Sequence, residues 1–309
     1  QSTFFGPVKY AYLPQHLATG ELIGGNAMVE SGTYVAIMLG LVVGGLSVAV
    51  DPDTLYVLVS FLIGIAVVGY FTSRAIPETK AVDPELRINW NLITESKRII
   101  GFARVDRNVF LSILGISWFW FFGSAMTVQI PAYTLNILNG NEEITTLILV
   151  VFAFGVGAGS LLCERLSGQK VELGLVPFGS IGLSVFAIDL YFAQSTLHPE
   201  VANTVSDFFL RPGSIRIFFD IAMIGAFGGL YSVPLYALVQ QRSKRQQLSR
   251  IIAATNILNS LFIVCSAILA IILLGIVGMT IPQFFVVLGI LNAIVAIYIY
   301  SLIPEFLMR

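Results

Sequence analysis

Three ionisable residues, Glu30, Asp189 and Asp220, stand inside long apolar stretches of this chain. A charge placed in hydrocarbon is costly, so such residues are the first candidates for a working site. Asn26, Glu30 and Thr33 follow one another at i, i+4 and i+7, which puts them on one face of a helix. That face continues through Ile37 to Gly40 and Gly44, polar at one end and smooth at the other, as suits a helix lining an internal path. A structural role for Glu30, bracing neighbouring helix ends by pairing with a basic residue, stands level with that reading. For Asp189 and Asp220, in the outer halves of their stretches, pairing or hydration outweighs a working role.

Lys9 lies between Pro7 and Tyr10, just before a polar run. In its modest role it ends a helix at a membrane interface. In a sharper one it grips a phosphate while Glu30 meets an ammonium, so that the two hold a zwitterion. In SWFWFFGSAMTVQIPAY, residues 117–133, five aromatics precede Gln129 and Pro131. Aromatic density of this kind belongs to an interfacial belt or a packed core, and a proline late in a span predicts a local break that could line a cavity.

Covalent chemistry finds no signature. His16 is followed four residues after the next by Glu21, and His198 by Asn203, so neither heads a His-x-x-x-x-Asp pair; P-loop, aspartate-rich and Gly-x-Ser-x-Gly patterns are absent from the sequence. Cys163 and Cys265 have no paired spacing and are expected as buried thiols. No cofactor or metal is called for. A net charge of −1 gives no reason for a nucleic-acid partner.

The elements that position these residues are membrane spans. Of 309 residues 56% are apolar and only 11% charged, too few charges to cover a soluble surface. Apolar stretches near 20 residues recur along the chain and predict an all-α polytopic membrane protein with eight spans, at 22–50, 53–74, 108–137, 142–166, 171–194, 214–240, 248–278 and 280–302. Residues 1–13 read as the end of a further helix, too short to cross alone, as if the chain were truncated at its start. All but Arg211 and Arg216 of the 17 Lys and Arg fall in one set of alternate loops, which is thereby expected to be cytoplasmic. The longest of these loops, 75–107, holds a candidate interfacial helix near 91–104, with Leu92, Ile93, Ile99, Ile100 and Ala103 on one face and Lys97, Arg98 and Arg104 off it.

Two spans and a stub precede that loop and six spans follow it. This is the layout of a six-plus-six transporter lacking its first three helices and most of the fourth, with segments 1–74, 75–107 and 108–309. Weak internal repetition agrees: Tyr10, Ala11 and Gln15 in PVKYAYLPQ recur as Tyr236, Ala237 and Gln241 in VPLYALVQQ, each followed by a polar loop and an asparagine, Asn26 and Asn256. Gly40/Gly44, Gly155/Gly159 and Gly225/Gly229 are small-xxx-small pairs suited to close helix packing.

Several blocks carry a family resemblance: FFGPVKYAYLPQHL, ELIGGNAMVESGT, FLSILGISWFWFFG, GSLLCERLSGQKVE, VPFGSIGLSVFAIDLYFA and GGLYSVPLYALVQQRS. They resemble the bacterial lysophospholipid transporter family of the major facilitator superfamily, most closely the version fused to a glycerophospholipid acyltransferase and an acyl-ACP synthetase. The stretch 159–174 also resembles the superfamily loop Gly-x-Leu-Ala-Asp-Arg-x-Gly-Arg-Lys, with altered spacing and Glu164 for the aspartate. The resemblance implies a non-enzymatic segment in the bacterial inner membrane. It would move lysophospholipids, chiefly lysophosphatidylethanolamine, from the outer to the inner leaflet for re-acylation, alongside a fused or associated acyltransferase. Stand-alone members are expected to hold the headgroup with an arginine in the seventh helix; here AMTVQIPAY offers Thr127 and Gln129 instead. The candidate substrate-binding set is Lys9, Asn26, Glu30, Thr33, Gln129 and Asn256. A small-molecule efflux transporter and a membrane tether for the acyltransferase are the alternatives.

Overall fold

A computed structural model describes residues 2–48, 55–79, 91–168, 174–195, 204–244 and 247–302. Eleven α-helices follow in order among them: α1 Ser2–His16, α2 Leu22–Val48, α3 Leu55–Ser73, α4 Leu92–Ala103, α5 Arg107–Asn136, α6 Glu142–Ser167, α7 Leu175–Ser195, α8 Val205–Leu210, α9 Ser214–Arg242, α10 Leu248–Ala270 and α11 Ile281–Leu302. Eight helical segments among the described residues are long and apolar enough to cross a membrane, and they coincide with the eight expected spans. The protein is an all-α polytopic membrane protein. Residues 80–90 of the long loop, and His198, lie outside the described residues.

Local chemistry sets the helix starts. Asp106 caps α5 by accepting from the N–H groups of Asn108 at 2.8 Å and Val109 at 3.2 Å, and Asn141 caps α6 through Ile144 N–H at 3.0 Å. Asn91 caps α4 through Thr94 N–H at 3.1 Å, so the expected amphipathic helix forms. α6 stops at Gly168, whose φ of 56° is left-handed and costs a glycine nothing. Arg211, only 6% exposed, donates to Leu138 O at 2.8 Å and Asn139 O at 3.3 Å, fastening the turn before α9 to the turn before α6.

α9 is the hub, packing against α6, α7, α5 and α2, while α10 lies on α5, α4 and α1, and α11 on α7 and α5. Two of the three expected glycine pairs meet each other here. A Cβ on Gly155 or Gly159 of α6 would strike the carbonyls of Ala222 and Ala226, and one on Gly225 of α9 would strike Phe152 O. α6 and α9 therefore touch backbone to backbone. Gly40 and Gly44 do not share this role, because nothing lies within 4 Å of the position a Cβ would take. A polar clamp crosses the other side of the bundle: Trp118 Nε1 donates to Asn292 Oδ1 at 2.8 Å, and the Asn292 amide donates to Ser180 O at 2.8 Å and Ser184 Oγ at 2.9 Å.

Three expectations change. α5 runs through Pro131 without a break, as does α9 through Pro234, because bundle neighbours hold a helix together where one backbone bond is missing. Cys163 is a buried thiol, but Cys265 is exposed on the outside of α10. Beyond α10 the chain continues as a π-helical segment, Ile271–Ile276, that the hydropathy pattern did not distinguish from α-helix.

Candidate functional site

Hereafter the basic end is the end where α1, α3, α6 and α9 finish and α2 and α5 begin; the distal end is opposite. The candidate site lies two turns in from the basic end, where α1 and α2 meet α9. α1 contributes Lys9 and Tyr10, and α2 contributes Asn26, Glu30 and Thr33 from the face that their spacing predicted. Glu30 is 5% exposed and accepts a hydrogen bond from the Tyr10 hydroxyl. Lys9 Nζ donates to Thr33 Oγ1 at 3.2 Å and stands 4.8 Å from the centre of the Tyr10 ring. Among the described residues no ion pair joins Lys9 to Glu30, although each charge acts on the other. Glu30 is thus not braced by a basic residue among the described residues; its buried carboxyl is held by a phenol.

The wall behind Glu30 is aromatic. Tyr10 stacks on Tyr236 of α9 with ring centres 4.6 Å apart and planes 2° from parallel, and Trp120 Nε1 of α5 donates to the Tyr236 hydroxyl at 3.1 Å. Tyr34, one turn beyond Glu30, completes the group. Tyr10 and Tyr236 are the two positions matched by the internal repeat, so each repeat residue meets its own counterpart. Below them Asn26 and Gln240 exchange side-chain hydrogen bonds, Asn26 Nδ2 to Gln240 Oε1 at 2.5 Å and Gln240 Nε2 to Asn26 Oδ1 at 3.0 Å. Gln240 also donates to Tyr10 O at 3.0 Å, and Ser31 Oγ donates to Gly157 O of α6 at 2.9 Å. These bonds tie α1 and α2 to the helices that follow the long loop.

Of the two remaining candidates, one stands apart from this cluster and the other borders it. Gln129 is 22 residues into α5, about 33 Å along the helix axis from the basic end, whereas Glu30 is only about 12 Å in from the start of α2. Asn256 of α10 abuts Gly6, one turn before Lys9 and Tyr10 on the same face of α1, its Nδ2 3.4 Å from where a Cβ would stand. Gln240 was missed, although its signal was present: it follows Tyr236 by four residues and so shares its face, whereas Gln241 is the exposed neighbour.

At the distal end, Arg216 of α9 forms a two-point ion pair with Asp189 of α7, Nε to Oδ2 at 2.9 Å and Nη2 to Oδ1 at 2.5 Å. Asp189 is thus paired, as expected. Asp220 is not so paired: it is 0% exposed, and neither of its oxygens has a hydrogen-bond partner among the described residues.

The basic-end site offers one cation and one carboxylate on adjacent helices, lined by tyrosine rings. Such a site can divide a zwitterion between them, with the rings and Glu30 facing an ammonium and Lys9 facing an anion. No family model matches the chain, and no solved structure matches it. Curated relatives do. The lysophospholipid transporter LplT of Photorhabdus laumondii is 26% identical over 251 residues, 78% of this chain and 56% of its own length. LplT of Escherichia coli is 28% identical over 248 residues and that of Shigella dysenteriae 27% over 248, with the same shares of each chain. The chain therefore spans about half the length of the curated relatives it matches. These relatives support the family that the sequence blocks resemble, the lysophospholipid transporters.

Proposed function

We propose that the protein carries lysophospholipids, chiefly lysophosphatidylethanolamine, across the bacterial inner membrane from outer to inner leaflet for re-acylation. On this reading the basic end is cytoplasmic, and the chain supplies the end of a fourth helix, helices five and six, and the whole second half of a twelve-helix bundle. An acyltransferase, fused or associated, receives the product. The observation that carries the reading is that Lys9 and Glu30 stand on either side of Tyr10 without pairing to each other, Lys9 over its ring and Glu30 on its hydroxyl, since a phosphoethanolamine headgroup has one charge for each. Asn26 and Thr33 position the two charges, while Gln129 and Asn256 would meet the substrate at other points of its passage.

The test is inward movement of fluorescent lysophosphatidylethanolamine in cells lacking their own transporter, using the full-length protein. Saturable movement is expected, falling at least tenfold in Glu30→Gln and in Lys9→Met, a loss of about 1.4 kcal/mol of binding. Undiminished movement in both variants refutes the site. No movement by a membrane-inserted protein favours the tether, and movement of unrelated small amphiphiles instead favours efflux.

A further inference from the structure

The distal carboxyl pair has a charge count that does not close. Arg216, four residues before Asp220 on α9, could reach it, but two of its donors are committed to Asp189. Asp220 is left wholly buried, with both oxygens unpartnered among the described residues, one helical turn along α9 from the arginine that holds the Asp189 carboxylate. The titratable and charged groups that act on it are Asp189 from α7, Arg216 on its own helix and the buried Tyr133 phenol of α5. The other helices packed on α9, α6, α2, α1 and α8, contribute none. A buried carboxylate that accepts no hydrogen bond and faces a second carboxylate is heavily penalised. The Asp189–Arg216 pair beside it is partly open, with side-chain exposures of 30% and 43%.

We propose that Asp220 is a proton-binding site served from the distal end. Its protonated carboxyl donates a hydrogen bond to an Asp189 oxygen, and the cluster of two acids and one guanidinium is then neutral. On release the proton passes to water at the distal surface, the hydrogen bond to Asp189 breaks, Asp220 becomes a carboxylate and the cluster carries one negative charge. Arg216 must then serve both acids, so the proton sets how α7 and α9 meet at their distal ends. The site stands on this geometry alone and does not depend on what the protein carries.

The experiment is infrared difference spectroscopy of the full-length protein in lipid membranes, titrated from about pH 5 to about pH 9, the range where buried carboxyls lose their protons. The wild type is expected to show a carboxylic-acid C=O band that disappears with rising pH and that Asp220→Asn lacks at every pH, any Glu30 band being common to both; Asp220→Asn keeps the shape of the protonated acid and can donate to Asp189. In Asp189→Asn the like charge is gone and Arg216 is free, so the same band should titrate at least one pH unit lower. A band identical in wild type and Asp220→Asn overturns the proposal, as does a titration unmoved in Asp189→Asn. A band that responds to sodium at fixed pH, and not to pH, also overturns it in favour of a metal-cation site. If Asp220→Asn fails to fold, the shift in Asp189→Asn decides alone.

Discussion

The reciprocal bonds between Asn26 and Gln240 make a measurable claim about what joins α2 to α9. Both side chains are buried, at 0% and 4% exposure, so neither finds water when its partner is removed. Asn26→Ala strands the Gln240 carbonyl oxygen, although the Gln240 amide keeps its bond to Tyr10 O. Gln240→Ala strands Asn26 Oδ1 and the Tyr10 carbonyl, while Asn26 Nδ2 keeps Leu22 O at 2.7 Å. Each stranded acceptor costs about 1–3 kcal/mol. Side-chain hydrogen bonds within a membrane bundle average about 0.6 kcal/mol, and at most about 1.7. Two of them give a coupling energy of about 1–2 kcal/mol, so the double alanine variant should lose that much less than the two single losses combined. The assay is reversible unfolding of the full-length protein in mixed micelles, as a double-mutant cycle. Losses that add to within about 0.5 kcal/mol would mean the pair is not coupled, and the account of this seam fails. A Leu–Leu double variant, which removes both polar groups together, should sit nearer the wild type than either single leucine variant.

Other outcomes follow from the same structure. Gly159→Leu and Gly225→Leu force a side chain into the facing backbone and should each cost about 1–3 kcal/mol, read as a lower midpoint of thermal unfolding. Tyr10→Phe removes the donor to Glu30 and should destabilise by about 1–3 kcal/mol while leaving the stack on Tyr236 in place, measured by unfolding and by headgroup uptake. Arg211→Ala leaves the Leu138 and Asn139 carbonyls without their donor and should cost about 2–3 kcal/mol, with faster hydrogen exchange at the turn between α5 and α6 as the local readout.

How far the sequence carried can be judged from particular residues. The spans were legible because hydrocarbon enforces long apolar runs, and the α2 face because Asn26, Glu30 and Thr33 keep helical spacing. What was not legible is partnership across helices. The bracing role gave Glu30 a basic partner, yet it meets the Tyr10 hydroxyl, a contact 20 residues away in sequence that only the α1–α2 packing creates. Asp189 and Asp220 looked alike, and only the packing of α7 on α9, which brings Arg216 to Asp189, separates the paired acid from the orphan. Gln129 was placed with the headgroup residues by its position in the stretch where relatives are expected to carry an arginine, and rise per residue sets it about 33 Å along α5. The Gly40/Gly44 pair shows the same limit, since spacing permits close packing but does not supply the partner helix.

The bond from Trp120 to Tyr236 has an optical consequence. Trp118, two residues away, is clamped by Asn292 among α5, α7 and α11, while Trp120 touches the ring that stacks across the seam onto Tyr10. With every other tryptophan of the full-length protein replaced by phenylalanine, the Trp120 indole becomes an intrinsic fluorophore whose emission and quenching depend on whether the two tyrosines are in contact. Separation of α1 from α9 could then be followed in real time by its own light, without an attached dye.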